Sequence, residues 1–498
     1  MLGIHFPQNN EVLLASERRL KFEEFLLMQI TLVKHYHENK QLNPGYVFGT
    51  IGEVFNRFFT KNLPFNLTGA QKRVLKEIRK DFKSGQQMNR LLQGDVGSGK
   101  TIVALMAMLM AIDNGFQACL MAPTEILAQQ HYESLQSLIG DLPVRIGYLS
   151  GSVKGKNRKE VLKLTRMGEV HILIGTHALI EEGVQFEQLG LAIIDEQHRF
   201  GVAQRAKLWE KGRDKHPHIL IMTATPIPRT LHMTLYGDTD VSIIDELPPG
   251  RKPIKTLHKT EYHRPEVIKF MKKEIANGHQ IYMVFPLIEE SEKLDLEDLN
   301  RGYERLLADF PIPSYQISVV HGRMKPDEKD FEMNRFKEGT TQIMVATTVI
   351  EVGVNIPNAS VMVIENSERF GLSQLHQLRG RVGRGAEQSY CILMSSFKLT
   401  HEAKERIQTM VSTNDGFEIA EVDLRLRGPG SMQSTQQSGL PDLKIANIVK
   451  DNALLRTSRE IATRIIEKDP DLRSSHHASL REYLERYNNQ SQDWTKIS

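Results

Sequence analysis

Two cysteines in 498 residues, Cys119 and Cys391, are too few for a disulfide framework or a cysteine-rich zinc site. Both lie in apolar runs (QACLMAP and SYCILMSS), which predicts buried strand thiols. No apolar run is long enough to span a bilayer. The amino-terminal MLGIHFPQNNEV lacks the basic start and apolar stretch of a secretory leader, so the expected compartment is the cytoplasm. Neither charge sign dominates: 64 Lys and Arg against 61 Asp and Glu leave +3. That balance neither requires nor excludes a nucleic-acid partner, because a basic groove can sit inside a neutral total. Low-complexity tracts and short-period repeats are also missing.

What is present is the composition of a soluble globular protein, 40% apolar and 25% charged. The chain is too long for one core, and two to four domains are expected. Residues 11–38 carry an apolar stripe of Leu13, Leu14, Leu20, Phe25, Leu26, Leu27, Ile30 and Val33 among charges, which predicts one long helix packed on a neighbouring domain. Asn43-Pro44-Gly45 breaks it. Thr68 is placed to cap a helix carrying Val74, Ile78 and Phe82. Short apolar strands then alternate with helical stretches, at 118–123, 171–176, 191–196 and 218–225. LPPGRKPIK at 247–255 reads as a linker, and the alternation resumes at 280–286, 317–322, 342–348, 360–366 and 390–396. Alternation of this kind implies parallel sheets flanked by helices. From about residue 400 the remainder is helical, with a polar loop at 428–439.

Gly94-Asp95-Val96-Gly97-Ser98-Gly99-Lys100-Thr101 fits the phosphate-binding pattern G-x4-G-K-[ST] between an apolar stretch and a helix-compatible run. Its glycines let backbone N–H groups close around phosphates, and the following helix adds positive potential. Lys100 would meet the β- and γ-phosphates of ATP, and the Thr101 hydroxyl would ligate Mg²⁺. Asp195 and Glu196 close the strand LAIIDE; at a parallel strand tip beside a phosphate loop, the first suits Mg²⁺ and the second suits the attacking water. Gln377-Leu378-Arg379-Gly380-Arg381-Val382-Gly383-Arg384, in the second α/β half, offers Gln377, Arg381 and Arg384 to a γ-phosphate. A cation supplied by a separate domain would make hydrolysis depend on domain closure.

These stretches together resemble a known family. LPFNLTGAQ (63–71), GDVGSGKT (94–101), MAPTEILAQQH (121–131), GTHALI (175–180), DEQHRFG (195–201), TATPIPRT (223–230), LPPGRKPI (247–254), VATTVIEVGVNIP (345–357), ENSERFGLSQLHQLRGRVGRG (365–385) and FEIAEVDLRLRGPG (417–430) are similar to the bacterial RecG branch-migration helicases of superfamily 2. The resemblance spans about residues 10–455. It implies two tandem RecA-like P-loop domains, an α/β class with parallel sheets, plus an amino-terminal helical segment and a carboxy-terminal helical hairpin region. The expected divisions are 1–62 (helical linker), 63–246 (ATP-binding domain), 247–402 (second helicase domain) and 403–498 (translocation hairpin and helices).

The resemblance also assigns roles. Phe65 and Gln71 should contact adenine. Thr124, Thr176 and Thr348 should hold the nucleic-acid backbone, and His198, Thr223 and Thr225 should link the ATP site to the DNA groove. Gly353 and Asn355 belong to the segment touching both; Asn355 stands where the family usually has aspartate. Thr413-Asn414-Asp415-Gly416 reads as a turn and cap, Phe417, Ala420 and Leu424 as a helix face, and Gly428-Pro429-Gly430 as the stop before a polar loop. This is similar to the translocation hairpin of the family, in which Arg425, Arg427 and Gln437 match and Ser434 replaces a more usual glycine. ATP and Mg²⁺ are the implied cofactors. Duplex and branched DNA (forks and Holliday junctions) are the implied partners of a monomer near the bacterial nucleoid, with a single-strand-binding protein as a further contact. The family carries an amino-terminal wedge domain, and nothing β-rich precedes Glu11, so weak fork remodelling by an intact motor is expected. The nearest alternative is a transcription–repair coupling translocase, which shares the motor. An RNA helicase is less well supported because of the hairpin, and a nucleic-acid clamp with a dead ATP site because the ATP-site residues are present.

Overall fold

The computed structural model describes residues 2–196, 207–212, 214–225, 228, 239–248, 250–286, 302–347, 356–383, 385, 387–431 and 443–490. Strand-forming runs alternate with helices along the chain as far as Ser395. The first seven strands are β1 (Asn89–Gly94), β2 (Gln117–Met121), β3 (Ile146–Leu149), β4 (Ile172–Gly175), β5 (Leu189–Asp195), β6 (His218–Thr223) and β7 (Asp240–Ile244). They form one parallel sheet in the order β3-β4-β2-β5-β6-β1-β7. The next six are β8 (Lys255–Thr260), β9 (Gln280–Val284), β10 (Ile317–Val320), β11 (Ile343–Ala346), β12 (Ala359–Ile364) and β13 (Tyr390–Ser395). They form a second parallel sheet, β10-β11-β9-β12-β13-β8.

Every residue of β2, β4, β5, β6, β9, β11 and β12 is buried, as expected where helices cover both faces of a parallel sheet. Cys119 in β2 and Cys391 in β13 are fully buried, and burial pushes both thiols up to about 12. The helix Lys100–Asp113 is buried along Ile102–Ala111 and lies inside the first core rather than on its surface. The helix Gly69–Lys83 begins at Thr68 with a full capping box: Gln71 N–H donates to Thr68 Oγ1 (3.1 Å), and Thr68 N–H donates to Gln71 Oε1 (2.9 Å). Val74, Ile78 and Phe82 on that helix are buried.

The predicted amino-terminal helix spans Asn10–Leu42. Its second half carries the buried residues. Phe25, Ile30 and Val33 pack with Leu455, Ala462, Ile466, Leu472 and Leu484 of the carboxy-terminal region, while Leu14 is exposed. At its far end, Tyr36 Oη–H donates to Asp240 Oδ1 (2.9 Å) and Lys40 pairs with Asp240 Oδ2 (3.1 Å), which ties the helix to β7. It therefore bridges the first sheet and the carboxy-terminal end. Helix Gly416–Ser431 runs through Gly428-Pro429-Gly430, so the stop expected there is not a stop. The residue before a proline is pushed out of the helical region partly through its Cβ, and Gly428 has none.

Candidate active site

In a parallel sheet the strand ends on one side form a common rim, and ligands bind there. β6 pairs with both β1 and β5, so the ends of β1 and β5 stand only about 10 Å apart. The loop after β1 thus faces the acidic pair at the end of β5. Gly97 and Gly99 adopt left-handed φ of +76° and +90°, and this curls the loop into the start of helix Lys100–Asp113. Lys100 Nζ donates to Gly94 O (2.7 Å) and Asp95 O (3.0 Å) and so lies along the loop. Ser98 Oγ is buried without a hydrogen-bond partner among the described residues, and a Cβ on Gly94 would come within 2.6 Å of it. A cradle of this shape, with a lysine and a helix start at its base, fits phosphate oxygens.

Asp195 is buried, and its Oδ2 accepts from His131 Nε2 at 2.9 Å. Glu196 sits at φ +54°, a strained conformation for a residue with a side chain. Its N–H donates to Met222 O (2.9 Å), and its Oε2 accepts from Ala224 N–H (3.4 Å). Burial first, and the neighbouring Asp195 charge second, raise its carboxyl above the usual range, while Lys100 and Arg381 oppose the rise. Arg381 comes from the second sheet's side of the molecule, so charges from both halves act on one carboxylate. Thr101 stands one residue into the loop's helix, and with Asp195 it supplies the hard oxygen donors that suit Mg²⁺.

The two halves meet at the phosphate loop itself. Asp95 Oδ1 accepts from His376 Nε2 (3.1 Å). His376 Nδ1 lies 3.0 Å from Arg379 Nη2, so the ring sits between Asp95 and Arg379. Burial would raise Asp95, but His376 and then Lys100 override it and hold the carboxyl below the usual range. The Val96 side chain lies so close to Gly380 that a Cβ there would meet it at 2.7 Å. Gln377 Nε2 donates to Thr225 Oγ1 (2.6 Å), and Thr225 N–H donates to Thr223 Oγ1 (3.1 Å). Buried Arg379 also donates to Met410 O (3.0 Å), Thr413 O (2.8 Å) and Asn414 O (3.3 Å), at the turn between helices His401–Ser412 and Gly416–Ser431. An unbroken polar path therefore runs from the phosphate loop to the helical pair: Asp95, His376, Arg379 and the turn. In that turn Asp415 Oδ1 accepts from Phe417 N–H (2.8 Å), the cap expected from the sequence.

Other expected site residues are placed less centrally. Phe65 is half exposed on the segment before Thr68, and the Gln71 amide donates to Ser98 O (2.9 Å), bracing the phosphate loop. Thr124 Oγ1 caps helix Glu125–Ile139 by accepting from Leu127 N–H (3.3 Å), which leaves its hydroxyl hydrogen to donate. Thr176 is buried. Arg425 is exposed and paired with Glu405. His198, Thr348, Gly353, Asn355, Arg384, Ser434 and Gln437 lie outside the described residues, as does the side chain of Arg427. Sequence reasoning overlooked His131, His376, Arg379 and Arg251. Each lies inside a motif stretch, but its partner is distant in sequence and no spacing reveals it.

The chain matches three family models: the DEAD/DEAH box helicase over residues 68–234, the helicase conserved C-terminal domain over 265–386, and ATP-dependent DNA helicase RecG, domain 3, C-terminal, over 413–498. It is 50% identical to the ATP-dependent DNA helicase RecG of Synechocystis over 485 residues, 97% of this chain and 58% of that protein. It is 49% identical to that of Bacillus subtilis over 482 residues, 97% of this chain and 70% of that protein. A solved RecG bound to a three-way DNA junction superposes with a TM-score of 0.73 at 42% identity, covering 91% of this chain and 59% of that one. The chain thus spans between about three fifths and seven tenths of the length of these relatives. The two parallel sheets are tandem RecA-like domains, and the chain belongs to the RecG family of ATP-dependent DNA helicases.

Proposed function

We propose that this chain is an ATP-driven translocase on duplex DNA that drives branch migration and remodels Holliday junctions and stalled forks. The observation that carries the proposal is the meeting of the two halves at the phosphate loop: His376 on Asp95, Gly380 against Val96, and Arg381 acting on Glu196. The RecG structure bound to a three-way junction supports branched DNA as the partner. In this reading the chain divides at 1–62, 63–246, 247–402 and 403–498, which is supported by one sheet lying within the second division and the other within the third.

In this reading the loop Gly94–Thr101 holds the phosphates, and Lys100 turns from the loop carbonyls to the β- and γ-phosphates. Thr101 and Asp195 would hold Mg²⁺, which when bound neutralises charge on the β- and γ-oxygens. His131 orients the Asp195 carboxylate. Glu196 takes the proton of the attacking water. Arg381 and Arg384 stabilise the charge that develops on the transferred phosphoryl group, and Gln377 reports that state to Thr225. Phe65 and Gln71 flank the adenine, and Gly353 and Asn355 lie between the nucleotide and the DNA. Thr124, Thr176, His198, Thr223 and Thr348 serve the DNA backbone and its coupling. The path through His376 and Arg379 passes closure on to the helical hairpin, where Arg425, Arg427 and Gln437 meet duplex DNA. Branch migration forms pairs as it breaks others, against roughly 1.4 kcal/mol of stacking per step, so a duplex pump needs little net work to drive it.

ATPase assays with duplex DNA, branched DNA and RNA test this reading. Duplex and branched DNA should stimulate turnover and RNA should not, and Lys100→Ala should abolish it. Equal stimulation by RNA, or turnover that survives Lys100→Ala, would contradict the assignment.

A further inference from the structure

The segment between the two sheets is more than a tether. Arg251 lies in it, after β7 and before β8, and its guanidinium reaches both halves of the site. Nη1 donates to Val96 O of the phosphate loop at 2.8 Å, and Nε donates to Gly383 O, two residues beyond Arg381, at 2.6 Å. The planar group lies against the open face of Gly97. A Cβ there would meet Nη1 at 2.2 Å, Cζ at 3.0 Å and Nη2 at 3.2 Å. Gly97 therefore has two reasons to be glycine, its φ of +76° and the guanidinium above it. Burial disfavours the charge and Asp95 favours it, so the group is held among dipoles and one carboxylate instead of in water.

Guanidinium nitrogens project donors in a rigid fork, so two carbonyls bound by one arginine are fixed relative to each other; an ammonium on a flexible stem fixes neither. Here one carbonyl belongs to the phosphate loop and the other to the loop that carries Arg381. Any change in the phosphate loop that moves Val96 O is felt through one side chain by the backbone next to Arg381. Two direct contacts of the halves, Asp95–His376 and Val96–Gly380, lie beside the same loop tip.

We infer that Arg251 is a positioning residue that clasps the phosphate loop to the arginine loop, so that the linker holds Arg381 at the nucleotide and lets its placement follow the shape of the phosphate loop. The inference rests on the ATPase reading of this site.

The test uses the full chain with Arg251→Ala and Arg251→Lys, each alone and with Arg381→Ala. With duplex DNA, either Arg251 variant should lower kcat about tenfold or more while ATP affinity stays within about twofold, because the loss is one of placement. On Arg381→Ala, adding Arg251→Ala should lower kcat by less than about twofold further, since the residue it positions is gone. A second readout is independent of activity. Spin labels on Met167→Cys and Phe397→Cys, both exposed, report the separation of the halves, and native Cys119 and Cys391 are buried and do not label. The distance distribution should broaden in both Arg251 variants. Wild-type kcat in the single variants, an equal loss on the Arg381→Ala background, or an unchanged distance distribution would each overturn the clasp. If the unmutated chain shows no ATPase, the site reading fails, and the label distances still decide the clasp.

Discussion

Gly380 has an ordinary helical backbone, φ −66° and ψ −7°, so alanine fits its conformation as well as glycine does. Only space objects. A Cβ at this position would lie 2.7 Å from Val96 Cβ, 2.8 Å from Cγ2 and 3.3 Å from Cγ1. Carbon atoms rest at about 3.5–4.0 Å, so Gly380→Ala must push the arginine loop and the phosphate loop apart by roughly 1 Å. Displacements of that size cost up to about 10²-fold in rate, or ~2.7 kcal/mol of barrier, when they misplace a catalytic group. The expected result is a fall in duplex-stimulated kcat of about tenfold to a hundredfold, with ATP binding to the phosphate loop, measured by a fluorescent analogue, nearly unchanged. Val96→Gly removes all three offending atoms, and combined with Gly380→Ala it should recover at least about a tenfold loss. A Gly380→Ala enzyme turning over within about twofold of wild type would show that closure does not run through this contact. Failure of Val96→Gly to rescue, beside its own single-variant control, would show the same.

Two further outcomes follow from buried residues. His218 is fully buried; its Nδ1 accepts from Met88 N–H, its Nε2 bonds Tyr46 O, and burial drags its pKa down to about 4. Because the folded pKa lies below the ordinary 6.5, the unfolded chain takes the proton first, and stability falls as pH drops from near 6.5 toward 4. From about pH 7.5 to about pH 5 that amounts to roughly 2 kcal/mol, and denaturant unfolding of His218→Gln should lack this part of the slope; an unchanged slope would refute the assignment. Ile30 joins the amino-terminal helix to Ala462 and Ile466, so Ile30→Ala should destabilise that junction by about 2–5 kcal/mol. Limited proteolysis should then release the amino-terminal helix first, and unchanged protection would argue against the bridging role.

Much of this architecture was legible in the residues because the inner strands of parallel sheets are uniformly apolar. β2, β5, β6 and β12 announce themselves as short hydrophobic runs. The strands that escaped notice, β3, β7 and β8, all lie at sheet edges; β3 is only four residues long, and β7 and β8 carry polar residues that an edge tolerates. β8, KTLHKT, has Lys255 and Leu257 exposed and lies where the linker was expected to end. The phosphate loop and the acidic pair were legible because their chemistry dictates local spacing. His131, His376 and Arg251 were not, because each matters through a partner 64, 281 or 155 residues away in sequence. Helix Gly416–Ser431 outran its expected stop, and Gly428, having no Cβ, avoids one part of the clash that a residue before proline meets.

The central claim is that one ATP site is built from both halves of the chain. Its most direct measurement is duplex-stimulated ATPase of Arg381→Ala, with ATP affinity measured alongside. A cation acting only on the developing charge contributes about 10³–10⁵ in rate and little to ground-state binding, so kcat should fall by at least about 10³ while ATP still binds. An Arg381→Ala chain hydrolysing ATP within about twofold of wild type would contradict the claim, because the second half would then contribute nothing to the chemistry.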